Sequence, residues 1–372
     1  MKKLIIWMIA GGVVILLVIV GAGIWFFQEM KKNDPEYVFN FIKEKASSKH
    51  IALSISHNGN KLANINENEP LPLASTMKII VAIEYASQAA EGRINPDQQV
   101  SLKELEKYYF PKTDGGAHEA WIKELKNGKN EDISKVKISE IADGMIAFSS
   151  NANTDYLMQL LGLDRINQLL DELDLSAHEP LYPISGAMFV PVQLMEEEGL
   201  PKKEALAALK NMPLDDYRER AVNINKEWQA APPTEQMKKQ LNATLDMKFQ
   251  KIWSDRLPRS TTKEYVSLME KLNSKNYFPK KVHDYLDPVL EQLMKNPSNK
   301  EWLKHAGQKG GSTAFVLTVS MYAEDKEGNR TEMAFFADDL SQWEQFKLQQ
   351  KMNSFQLKLL TDPSFRKRIA KE

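Results

Sequence analysis

The 372-residue sequence contains no cysteine, which excludes disulfides, thiolate nucleophiles and Cys-based metal sites and leaves stability to packing. It also lacks an excess of either charge. Its 49 Lys plus Arg face 50 Asp plus Glu, a formal net charge of −1 with no strongly basic block, so no nucleic-acid partner is expected. The six histidines, His50, His57, His118, His178, His283 and His305, form no His-x-x-x-His or His-Glu-x-x-His pair. No metal is therefore expected. There is no Gly-x-x-x-x-Gly-Lys-Ser/Thr phosphate loop, no Gly-x-Gly-x-x-Gly fingerprint, no internal repeat and no low-complexity tract. No organic cofactor is expected.

What the chain does have begins with one long hydrophobic run. Leu4 to Phe27 carries no charge over 24 residues, enough to cross a bilayer. A cleaved signal would show an apolar stretch of about 7–15 residues ending in an Ala-x-Ala-like site. Here the only small-residue run, Gly21-Ala22-Gly23, leads into more apolar sequence, Ile24-Trp25-Phe26-Phe27. Length thus favours an uncleaved single-pass anchor at 4–27 behind a cytoplasmic tip at 1–3. Lys2 and Lys3 are matched by Lys31 and Lys32, so flanking charge does not set the orientation. Export of the long C-terminal part is the expectation for such an anchor, placing the protein in the cell membrane with its main domain outside the cytoplasm.

The remaining chain, 42% of the whole being apolar, can build a sizeable core. Residues 28–48 read as a linker and lead-in helix after Asn33-Asp34-Pro35. Residues 50–57 and 61–66 form alternating runs around His57-Asn58-Gly59-Asn60, a hairpin signal. Residues 75–88 read as a mostly buried helix ended by Gly92. From about 95 to 300 the pattern is helix after helix, with no convincing strand. Residues 315–323 and 331–337 return to β character around a polar turn, and a helix broken near Pro363 closes the chain. This order predicts an α/β plus all-α fold: an antiparallel sheet built from both chain ends, flanking helices, and an inserted all-α lobe. The main domain is expected to span 49–372.

Ser75-Thr76-Met77-Lys78 places a hydroxyl and an amine three residues apart at a helix start, neighbours on one face. There the positive end of the helix favours developing negative charge. A lysine desolvated by Ile79-Ile80-Val81 can lose its proton and serve as base. Alone the pattern is commonplace. Two further elements follow in order: Phe148-Ser149-Ser150-Asn151 after an apolar helix, and Lys309-Gly310-Gly311-Ser312-Thr313, read as immediately preceding a strand that starts at Phe315. The first offers a hydroxyl relay and a carbonyl-binding amide. The second offers a cation for a carboxylate and glycines that permit close backbone approach.

Together these elements resemble the Ser-x-x-Lys, Ser-x-Asn and Lys-Thr-Gly motifs of class A β-lactamases and penicillin-binding proteins. The contexts Leu73-Ala74 before Ser75, Ala152-Asn153-Thr154-Asp155 after Asn151, and Ser260-Thr261-Thr262 are also similar to the family. The resemblance implies a β-lactamase/transpeptidase-like fold and an acyl-enzyme on Ser75, with Lys78 as base and Ser149 as proton relay. It implies that Asn151 binds the substrate carbonyl, that Lys309 takes a substrate carboxylate, and that the N–H groups of Ser75 and Ser312 form the oxyanion hole beside Gly311. β-Lactams or D-Ala-containing, peptidoglycan-like peptides are the implied substrates.

The departures are specific. Gly310 stands where the family has Thr or Ser, so a hydroxyl is missing unless Ser312 or Thr313 replaces it. Ser150 replaces the Asp of Ser-Asp-Asn. A deacylating Glu followed by Leu-Asn is absent, and Glu179, before Pro180, is the candidate for that role. Residues 196–253 form a charged insertion with no family counterpart. An alternative that these departures leave open is a penicillin- or peptidoglycan-binding sensor without turnover.

Overall fold

The computed structural model describes residues 34–127 and 133–371. The expected tip and anchor, and the linker up to residue 33, lie outside the described residues. Among the described residues no helix is long and apolar enough to cross a membrane.

A five-stranded antiparallel sheet organises the molecule. β1 (Ile51–His57) and β2 (Asn60–Ile65) come from the N-terminal side, and β7 (Leu303–Ser312), β8 (Leu317–Asp325) and β9 (Arg330–Ala337) from the C-terminal side. Their order is β2-β1-β9-β8-β7, which leaves β7 as an edge. Asn58 and Gly59 turn the first hairpin at φ 53° and 74°, a left-handed pair that Asn-Gly adopts at little cost. The sheet therefore closes through both chain ends, as the sequence pattern implies.

Side chains alternate across the sheet with period two. Leu53, Ile55, Val319 and Phe335 face the helices Pro35–Lys45, Gln342–Thr361 and Pro363–Ile369. Ala52, Tyr322, Ala334 and Phe336 face the helical body on the other side. Alternation in β1 predicts a half-exposed strand, yet Ser54 and Ser56 are buried because helices cover both faces. The Ser54 hydroxyl pairs with Thr262 Oγ1 at 2.8 Å, as a buried polar group must.

The Lys78–Glu91 helix runs through the helical body with twelve of its fourteen residues buried. Gly92, at φ 75°, ends it by returning N–H bonds to the last turn. The helical block is not free of strands. β3 (Leu71–Pro72) pairs with β6 (Arg259–Ser260), and β4 (Gln99–Ser101) with β5 (Lys135–Lys137). These pieces are too short to show a periodicity of two. The charged stretch 196–253 folds into helices Lys202–Asn211, Leu214–Ala230 and Glu235–Ala243 and most of Met247–Arg256. They bury Leu209, Tyr217, Trp228 and Phe249 against the Ile184–Glu196 helix.

Candidate active site

The short β3–β6 pair presents Ser75. Leu73 N donates to Pro258 O (2.9 Å), and Leu73 O accepts from Thr76 N (3.0 Å) and Thr318 Oγ1 (2.8 Å). This fixes a 3₁₀ turn, Ala74–Met77, that continues into the Lys78 helix. Ser75 was expected in the first turn of an α-helix. The tighter 3₁₀ geometry still brings residues i and i+3 to one side, so Ser75 and Lys78 share a face. Its leading N–H groups, Ser75 N among them, have no intrahelical acceptor. Gly311 closes on that amide: a Cβ there would lie 2.5 Å from Ser75 N, 2.7 Å from Thr318 Oγ1 and 2.8 Å from Leu73 O.

Lys-Gly-Gly does not lead into the following strand. It lies near the end of its own strand, β7, which pairs with β8 through Lys309↔Ser320, Gly310↔Val319 and Gly311↔Thr318. Lys309 and Gly311 point to the helical body, and Gly310 to the opposite, exposed side. Ser312 is exposed at the strand end. Thr313 Oγ1 is already engaged, accepting from Ser254 Oγ (2.8 Å), Phe315 N (3.1 Å) and Val316 N (3.1 Å). It holds a turn, so of the two replacements for the missing hydroxyl only Ser312 is uncommitted among the described residues.

Two buried lysines converge on Ser149. Lys78 Nζ donates to Ser149 O (2.6 Å), Asn151 Oδ1 (2.9 Å) and Ser149 Oγ (3.3 Å). Lys309 Nζ donates to Ser149 Oγ (3.0 Å) and Gly310 O (2.7 Å). Burial, and then the charge of Lys309, hold the Lys78 amine well below the usual lysine value. Burial alone brings Lys309 down to about 7. Among the described residues no hydrogen bond joins Lys78 to Ser75 Oγ. In unliganded sites such bonds commonly tighten only when substrate arrives.

Ser149 adopts φ 70° to present both its carbonyl and its hydroxyl, and Ala74, before the nucleophile, adopts φ 45°. Left-handed backbone at non-glycine residues costs on the order of 1–3 kcal/mol and gathers at functional sites. Ser150 caps the Asn151–Leu161 helix and is bonded to the buried His118 Nδ1 at 2.9 Å.

Glu179 is not placed with these groups. Its carboxylate accepts from Arg218 Nη2 (2.7 Å) and Arg259 N (3.1 Å), and its own N–H donates to Arg259 O (2.8 Å). It does not line the cavity in front of Ser75, because the Arg218 pair and the β6 backbone draw it away. Tyr182, three residues further on, donates its hydroxyl to Arg256 O. The segment that does face the cavity starts the Ile184–Glu196 helix and offers Ile184 and Met188. Buried Asp155 fixes it, accepting from Ile184 N (2.9 Å) and Ser185 N (2.7 Å).

The cavity measures about 760 Å³ and contains Ser75, Ser149, Asn151, Gly311, Ser312 and Thr313 in its walls. The 196–253 stretch and its closing helix add Leu245, Gln250 and Trp253. Sequence reasoning missed these lining residues and the Lys112–Gly115 loop that also borders the cavity. The loop's Pro, Asp and Gly residues were its only signal. Asp114 is the only carboxylate in the lining among the described residues. Among those residues, too, no group of three or more His, Cys, Asp or Glu is arranged to hold a metal.

Comparison with known proteins gives a concordant picture. A sequence model of the beta-lactamase enzyme family matches residues 38–312. A search of curated proteins finds no match. Among solved structures, the TLA-3 extended-spectrum beta-lactamase superposes with a TM-score of 0.52 at 12% identity, over 87% of this chain and 99% of its own. A beta-lactamase from Chitinophaga pinensis gives 0.51 at 13% identity, over 86% and 99%. At these identities the structural likeness is one of fold.

Proposed function

The chain belongs to the beta-lactamase enzyme family, and from that premise we propose that it is a serine hydrolase forming an acyl-enzyme at Ser75 with β-lactams or D-Ala-containing, peptidoglycan-like peptides. The observation that carries this reading is the lysine pair. Lys78 is fully buried one 3₁₀ turn from Ser75, and Lys309 beside it further disfavours its charged form. Lys78, whose charged form burial disfavours, gives up one of its three donated bonds on losing its proton, and then takes the Ser75 Oγ proton as the oxygen attacks the carbonyl carbon. The N–H groups of Ser75 and Ser312 hold the developing oxyanion. Ser149 Oγ, in contact with both amines, passes a proton to the leaving nitrogen, and Asn151 orients the substrate carbonyl. No metal or organic cofactor enters this scheme.

Fast release of the acyl group in the class A manner uses a carboxylate that positions and deprotonates water. Glu179 is paired elsewhere, and Asp114 is held by three backbone N–H groups. This favours a slowly deacylating, D,D-peptidase or penicillin-binding type over a fast β-lactamase. It equally supports a second reading, a sensor that stays acylated. We further propose that residues 4–27 anchor the domain outside the cytoplasm. Cleavage near residue 24, seen by N-terminal sequencing of the mature chain, would contradict this. The catalytic assignment is tested by covalent penicillin labelling of variants. Ser75→Ala abolishes labelling and Lys78→Ala slows it by about 10²–10⁴-fold. Wild-type labelling of Ser75→Ala would overturn the assignment.

A further inference from the structure

The resemblance assigns a substrate carboxylate to Lys309, but Lys309 is poorly disposed to receive one. Its side chain is buried, its amine is engaged by Ser149 Oγ and Gly310 O, and Gly310 supplies no hydroxyl beside it. An amine brought down to about 7 by burial is, moreover, half neutral near neutral pH.

Lys309 is not among the residues lining the cavity, and one cation is. Lys112 lines it and is exposed, with no hydrogen-bond or ion-pair partner among the described residues. Its acidic neighbour in the lining, Asp114, is spent on Gly116 N (3.2 Å), Ala117 N (3.1 Å) and His118 N (3.1 Å) at a helix start. Lys112 is thus the one uncommitted charge facing the cavity among the described residues.

Its backbone is also held against preference. Thr113 N donates to Phe110 O at 3.3 Å, Pro111 occupies the second position of the turn, and Lys112 the third at φ 71°. That pattern matches a type II turn, whose third position suits Gly or Asn. A lysine there carries strain that a glycine would not. Phe110 fastens the turn by packing on Phe189 and Trp228, with ring centroids 4.6 and 5.0 Å away. Trp228 belongs to the inserted helices, so the insertion helps to hold the lysine in place.

We propose that Lys112 reads the carboxylate of an anionic substrate in this cavity, standing in for the hydroxyl that Gly310 lacks. The proposal rests on the functional reading above and names a residue that determines its specificity.

The test uses full-length protein carrying Ser75→Ala, so that binding is measured without acylation. Benzylpenicillin and its uncharged methyl ester are the probes, with equilibrium dissociation constants as the readout. The acid binds roughly two- to fivefold tighter than the ester, the worth of one partly screened ion pair. Adding Lys112→Gln removes that preference by weakening the acid alone, and Lys112→Arg keeps it. Lys112→Gly, which suits the turn, leaves Tm unchanged or higher and still removes the preference. A preference that survives Lys112→Gln, or one absent from the start, overturns the proposal. Intact preference with no penicillin adduct on unsubstituted Ser75 would instead overturn the acyl-enzyme reading and leave the carboxylate site standing.

Discussion

A Cβ added at Gly311 would sit 2.5 Å from Ser75 N and 2.8 Å from Leu73 O, whereas one at Gly310 would meet only Thr318 O, at an ordinary 3.5 Å. Backbone cannot move aside cheaply, so the two adjacent glycines respond differently to the same substitution. Gly311→Ala is expected to displace the Ser75 amide and slow penicillin labelling by about 10²-fold or more, the cost of losing one oxyanion donor. Gly310→Ala is expected to label within a few-fold of wild type, with Tm unchanged or raised, since Gly in a strand is unfavourable by about 0.5–1 kcal/mol. Equal losses in the two variants, measured by labelling rate and thermal melt, would contradict this account of the strand.

Lys309 gives a pH prediction. Its folded value, about 7, lies below its ordinary 10.5. Below about 7 both states hold the proton, and the penalty of burying the ammonium is present in full. Between the two values only the unfolded chain is protonated, so this residue makes stability rise with pH, by on the order of 2 kcal/mol from pH 7 to 9. Lys309→Met is expected to flatten that rise in denaturant unfolding. A rise of the same size in the variant would contradict the burial effect. The identities of Ser75, Lys78, Ser149 and Lys309 were legible because they recur as spaced motifs. Which charges are already engaged, as at Glu179 and Asp114, was not, because their partners lie far away in sequence or in the backbone.

At the scale of elements, local signals succeeded where they are chemical and failed where partners supply the stability. Asn58-Gly59 marks the first hairpin, Gly92 ends its helix, and Pro363 divides the last two helices. β7 was not legible, because Leu303–Gly307 interleaves His305 and Lys304 with its apolar residues. Buried His305 has its partner far away in sequence, its Nε2 meeting Asn273 Oδ1 at 2.8 Å and Asn273 O at 3.2 Å. The start of the Ile184–Glu196 helix depends likewise on a distant residue. Burial raises the Asp155 carboxyl to about 6, yet it still accepts both Ile184 N and Ser185 N. Asp155→Ala leaves two buried donors without partners and is expected to cost ~2–4 kcal/mol in urea unfolding. A loss under about 1 kcal/mol would mean that the segment is held by other contacts.

At the scale of the molecule, the same sheet that joins the chain ends also carries the site, since β7 and β8 clamp the Ser75 turn from one side while the helical body supplies Lys78, Ser149 and Asn151. The inserted helices complete the enclosure through Leu245, Gln250 and Trp253. Their charged surface, with Lys, Glu and Asp between the buried positions, concealed this role in the sequence, because a solvated helical face looks the same whether or not its far end borders a cavity. No carboxylate in that enclosure is free to activate water, among the described residues, and the central claim is therefore an acyl-enzyme that forms on Ser75 and persists. Its most direct test is the intact mass of the protein followed over time after brief exposure to penicillin and removal of the excess, in wild type and in Glu179→Gln. The account predicts one adduct, located on Ser75, that outlasts minutes in both proteins alike. No adduct, or a wild-type adduct lost within seconds that Glu179→Gln greatly prolongs, would contradict it.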